Sequence, residues 1–95
     1  MTKGIHLGVR FAWDEKKNLE LKSEGRPSFE EAVESIAEFG VLYEGPNPVR
    51  EGQRIFVVNL RNYPHIVPFD TRGDVFWLIT VFPSRKYKNA QKKKK

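Results

Sequence analysis

The 95-residue chain contains no cysteine, which excludes disulfides, thiolate nucleophiles and cysteine-rich metal sites. Zinc would have to come from His6, His65 and carboxylates, whose spacing matches no ligand motif, so neither metal nor cofactor is expected. Long apolar runs are also missing. The longest, residues 75–81, is interrupted by Thr80 and falls far short of the ~20 residues that span a bilayer. The opening residues Met1-Thr2-Lys3-Gly4 lead to His6, Arg10 and Asp14 and do not read as a secretory leader. A soluble, cytoplasmic protein without membrane contact is therefore expected. Gly-rich phosphate loops and a Ser-His-Asp order are absent too.

Acidic residues nearly vanish from the second half of the chain. Up to Glu51 there are 7 Lys and Arg against 10 Asp and Glu, a net of −3; the remainder carries 10 against only Asp70 and Asp74, a net of +8. The overall +5 thus describes a dipolar molecule whose basic part suits an acidic partner such as a phosphate backbone. Aromatic residues make up 13% of the chain, enough for a folded core despite a mean hydropathy of −0.58. The length predicts one small domain over residues 1–91, with the lysines at 92–95 as a disordered basic tail.

Alternation of apolar and polar residues over 5–13 predicts a first strand. Asp14 can cap a thin surface helix running to about Ser23 and stopped by Gly25-Arg26-Pro27. The second helix has the stronger signature. Ser28 and Glu31 form a capping box, Phe29, Val33, Ile36 and Ala37 make one apolar stripe, and Gly40 supplies the stop. Glu30, Glu34 and Glu38 fill its other face, which should therefore lie away from any phosphate-binding surface. A weak strand follows; residues 44–48 read as a loop, and strands are expected over 54–60, 63–70 and 74–82. Arg61-Asn62 and Thr71-Arg72-Gly73 are tight turns that make these three a meander, with Pro64 and Pro68 placing the middle one near an edge or a bulge. The expected architecture is α+β in two layers, an antiparallel meander with two N-terminal helices on one face.

The residues able to carry chemistry cluster near strand ends. In a regular hairpin register Arg61, Tyr63, His65 and Arg85 share one neighbourhood. Such a set fits metal-free RNA cleavage, in which a 2′-hydroxyl attacks its own phosphodiester. A base takes the hydroxyl proton, an acid protonates the leaving 5′-oxygen, and cations hold the charge on the pentacoordinate phosphorus. Arginine suits the last task because its planar fork grips two phosphate oxygens. Simpler readings exist for each residue. His65 in an apolar strand is accounted for as a hydrogen-bonded structural histidine, Tyr63 as a core or turn aromatic, and Lys86 and Lys88 as solubilising charges.

The stretch Phe11-Ala12-Trp13-Asp14, Lys17-Asn18, Leu21-Lys22 and Ser28-Phe29-Glu30-Glu31-Ala32 resembles the opening of the BrnT-type toxins. Gln53-Arg54-Ile55-Phe56-Val57-Val58, Val67-Pro68-Phe69 and Pro83-Ser84-Arg85-Lys86 resemble one subgroup of them further along. Together these cover about three-quarters of the chain in the right order. The glycine before the second helix is displaced to Gly25, and Tyr87 follows Ser-Arg-Lys directly where the subgroup has Ala and a later Tyr. The resemblance implies a RelE-like α+β fold and a type II toxin: a metal-independent endoribonuclease that cuts mRNA, in some cases on the ribosome, and arrests growth. It also implies a DNA-binding antitoxin partner, with a toxin dimer within that complex as a further option. Lys17, Arg54, Ser84, Arg85 and Lys86 are the positions carried by the matching motifs. The combined expectation assigns catalysis to Arg85, Lys86, Arg54 and His65, and RNA binding to Lys17, Arg61, Tyr63, Ser84, Tyr87 and Lys88. The alternative is a degenerate toxin that binds RNA or docks an antitoxin without cutting.

Overall fold

The structure, a computed structural model, describes residues 10–87. The first strand, β1 (Arg10–Trp13), leads into helices α1 (Glu15–Ser23) and α2 (Phe29–Phe39). Strands β2 (Tyr43–Pro46), β3 (Arg54–Leu60), β4 (Tyr63–Arg72), β5 (Val75–Leu78) and β6 (Phe82–Pro83) follow, and a 3-10 turn at Arg85–Tyr87 closes the described chain.

Local chemistry sets the helix limits. The Asp14 carboxylate accepts from the Lys16 N–H at 3.1 Å and starts α1. At its other end Arg26 N–H reaches back to the Leu21 carbonyl and Gly25 N–H to that of Lys22. These paired bonds need a left-handed residue between them, supplied by Gly25 at φ 75°. Ser28 Oγ accepts from Glu31 N–H, so half of the expected capping box forms. The reciprocal half does not, because the Glu31 carboxylate is gripped by Arg61.

The buried amide of Asn18 joins the two helices. Its Oδ1 accepts from Phe29 N–H at 2.8 Å, satisfying a free donor of α2, and its Nδ2 donates to Glu30 at 2.9 Å. This hydrogen bond is the main reason the Glu30 carboxyl lies below its ordinary value, with the Lys22 ammonium helping.

The six strands form one sheet in the order β1-β5-β4-β3-β2, with β6 paired to β4 beyond the end of β5. Consecutive strands β3 to β5 make the expected antiparallel meander, β2 extends it antiparallel to β3, and β1 adds to the far edge beside β5 in parallel. Phe56, Val58, Leu60, Val67, Phe69 and Leu78 face the helices and pack with Leu21, Phe29, Val33 and Ile36. Phe11, Trp13 and Phe76 extend this layer; Trp13 stacks on Phe29, with ring centroids 5.5 Å apart. No helix among the described residues is long and apolar enough to cross a membrane.

Four boundaries differ from expectation. Gly45 and Pro46 lie in β2, not in a loop, because an edge strand tolerates both. β4 runs on to Arg72, so the second hairpin turns at Gly73 and Asp74. β4 is also central rather than an edge strand. Pro64 and Pro68 fit there because each turns the side lacking an N–H towards the interrupted neighbour. Their carbonyls on that side accept from Ser84 N–H and Ile79 N–H. The interruption is the fourth difference: the expected strand over 74–82 breaks at Ile79 into β5 and β6. The expected first strand before residue 10, Lys88 and the tail at 92–95 lie outside the described residues.

Candidate nucleic-acid interface

The sheet has one face under the helices and one free of them, and strand parity assigns each side chain to a face. Residues paired across strands share a face. Phe82 pairs with Ile66, Ile66 with Val57, and Val57 with Tyr43. These four form a cross-strand row on the helix-free face, with aromatic rings at both ends. The 3-10 turn crosses this face and lays Tyr87 on Tyr43, with centroids 5.7 Å apart and planes inclined by 23°. Gly45 permits the arrangement. Tyr43 lies across it, and a methyl group there would run into the Tyr43 hydroxyl.

Arg85 and Lys86 ride exposed on the same turn. Neither has a carboxylate partner among the described residues, and the Lys86 ammonium sits 5.6 Å above the Tyr87 ring. Ser84 anchors the turn: its N–H donates to Pro64, and its carbonyl accepts from Tyr87 N–H. Further along the helix-free face the Arg72 guanidinium lies 4.8 Å over the half-buried Trp77 and 3.6 Å from Asp70. The result is a pleated surface of aromatics and cations, while the carboxylates of α2 lie on the far side of the sheet. A surface of this kind can hold phosphates by charge and bases by stacking.

The other expected site residues do not join this surface. Arg61 sits in the β3–β4 turn and turns back to the helices, giving Glu31 a two-pronged grip at 2.9 and 3.0 Å and donating to the Gly25 carbonyl at 2.8 Å. The carboxylate raises its already high basicity, so this guanidinium is a structural clasp. His65 is 5% exposed on the helix side, and its Nδ1–H donates to the Tyr63 carbonyl at 2.9 Å. Tyr63 meets the His65 ring edge-on at 6.2 Å. Arg54, also on the helix side, pairs with Glu44 at 3.2 Å. Lys17 lies on α1, 4.0 Å from Glu20.

The single neighbourhood expected for Arg61, Tyr63, His65 and Arg85 is thus divided by the sheet. Hairpin register places them at one end, as expected, but parity sends Tyr63 and His65 to the helix face while the turn carries Arg85 away from it. Tyr43, Phe82 and Arg50 belong to the helix-free side, and sequence reasoning passed over all three. One signal was available for Tyr43, an aromatic two residues before a glycine in an edge strand.

No protein-family model, curated protein or solved structure matches the chain in comparisons with known proteins.

Proposed function

We propose that this chain is the toxin of a type II toxin–antitoxin pair, a RelE-like, metal-independent endoribonuclease that acts on mRNA in the cytoplasm. One observation carries the reading: Arg85 and Lys86, without carboxylate partners among the described residues, are mounted beside the Tyr43–Tyr87 stack on the helix-free face. In this reading Arg85 grips the scissile phosphate and Lys86 adds charge as the 2′-hydroxyl attacks and the bond to the 5′-oxygen breaks. The proton carrier is a tyrosine of the stacked pair, because His65 is enclosed on the other face. An acidic segment of the antitoxin covers Arg85 and Lys86, since burying those cations unpaired would cost several kcal/mol.

A specific observation favours a second reading. Arg54 and Arg61 are held by Glu44 and Glu31, which leaves two cations on the turn and suits an RNA-holding protein that does not cut. One experiment separates the two. Purified protein is incubated with a structured RNA in EDTA beside Arg85→Ala, and ends are read by primer extension. Discrete cuts that vanish in the variant support the toxin reading. Salt-dependent binding without new ends, there and on translating ribosomes, supports the second. Neither binding nor cutting overturns both.

A further inference from the structure

Between residues 47–53 and the break that separates β5 from β6 lies a groove of about 290 Å³. Pro68 and Ile79 form its apolar floor, Phe82 one wall, and Asn47, Arg50 and Gln53 its polar rim. Its size is at the low end of small-molecule clefts and far below what a helix or strand of a partner would need.

The break creates the groove. After Leu78 the chain leaves the ladder with Ile79 N–H bonded to Pro68, while the Arg26 guanidinium holds the Val81 carbonyl from the helix side. When pairing resumes, Phe82 stands on the helix-free face, where it is 37% exposed. The rim is fixed as well. Asn47 Oδ1 accepts from Val49 and Arg50 N–H groups, and its own N–H donates to the Gln53 carbonyl. Asn47 Nδ2 donates to Gln53 Oε1 at 3.3 Å, which sets the Gln53 amide so that its Nε2 is without a partner among the described residues. Arg50 has no carboxylate partner among the described residues either.

We infer that this groove is a nucleobase subsite for single-stranded RNA, with the base stacked on Phe82 and its edge read by Gln53 while Arg50 meets the adjoining phosphate. The occupant follows from the chemistry of the walls: a flat aromatic beside a fixed amide donor and a free guanidinium matches a base and its backbone. Position agrees. Phe82 lies three residues before Arg85, at most ~11 Å along an extended chain, so the groove and the Arg85 phosphate site would serve neighbouring nucleotides. The inference rests on the RNA reading above and adds where base preference comes from.

The test uses fluorescent 2′-O-methyl homopolymers of the four bases, which cannot be cut through a 2′-hydroxyl, titrated with the full chain in low salt. Phe82→Leu keeps apolar bulk but removes the stacking face, and is expected to weaken binding ~5- to 100-fold. Phe82→Trp should restore it, and Gln53→Leu should level the preference among the four bases. If the unaltered protein binds and Arg85→Ala weakens it, yet Phe82→Leu and Gln53→Leu bind alike with unchanged preference, the groove is not a subsite. If the unaltered protein binds none of the four, the RNA reading itself fails and the subsite with it. Thermal melts of each variant show whether a loss reflects unfolding.

Discussion

The Arg61 guanidinium holds both carboxylate oxygens of Glu31, tying the β3–β4 turn to the first turn of α2. Arg61 and Asn62 both adopt left-handed backbone, at φ 55° and 62°, the pair required by a two-residue hairpin of this hand. An arginine there is strained, and its three side-chain hydrogen bonds offset that strain. Arg61→Ala is accordingly expected to lower the melting temperature while leaving RNA affinity per folded molecule unchanged. A loss of RNA affinity without a loss of stability would return Arg61 to the RNA surface.

Asn18→Ala removes a fully buried amide and strands the Phe29 N–H. A cost of about 1–3 kcal/mol is expected from urea unfolding. Asn18→Asp should fare no better at neutral pH, because it places a carboxylate against Glu30 where the amide donated. Wild-type stability in either variant would show that the helices are held by packing alone.

Acid stability follows from the same contact. The Glu30 carboxyl is held below its ordinary value of about 4.3 by Asn18 first, then by a backbone hydrogen bond and then by Lys22. A group with a lowered folded value stabilises fully above its unfolded value, and that contribution is lost as pH falls through the folded one. Unfolding free energy measured from pH 6 downward should therefore fall on the acid side, and Glu30→Gln should flatten the slope. An unchanged slope would assign acid sensitivity to other carboxylates.

His65 is expected to be dispensable for RNA chemistry. His65→Gln should cost about 1–3 kcal/mol of stability through its buried hydrogen bond, with the cleavage pattern preserved. Loss of cleavage in a variant that melts like the parent would make it a proton carrier after all.

Gly45→Ala drives a methyl group into the Tyr43 ring and displaces the platform on which Tyr87 rests. The clash is with the outer end of a side chain that is 42% exposed, so Tyr43 swings aside at little cost in stability. RNA affinity should fall as the stack is displaced, although residue 45 need not touch RNA. Affinity at the parental level would detach the tyrosine stack from the interface.

Much of the fold is legible in the chain because the deciding signals are local. Asp14, Ser28, Gly25 and Gly40 bracket the helices, and the limits of β3 follow from one apolar run and one tight turn. The parallel pairing of β1 with β5 carries no such mark, since it joins segments more than sixty residues apart. The break at Ile79 is hidden because residues 75–82 are apolar except for Thr80, which a strand accommodates, and so read alike on either face. The candidate site was half legible: the basic turn at Arg85 stands out in the sequence. Which face each side chain takes is decided by parity, and a shift of one residue reverses it. Arg54 and Arg61 looked like RNA ligands because their carboxylate partners lie 10 and 30 residues away in the sequence.

The pairing of β1 with β5 also sets a timetable for synthesis. Trp13 leaves the ribosome about 60 residues ahead of its partner segment, which at 5–20 residues per second is a delay of roughly 3–12 s. Throughout that interval Phe11 and Trp13 have no strand to complete, and the nascent chain offers an unfinished edge to whatever is near. The Arg85–Tyr87 turn emerges later still. The sheet cannot close until nearly the whole described chain is out, so its basic surface is assembled only at the end of translation.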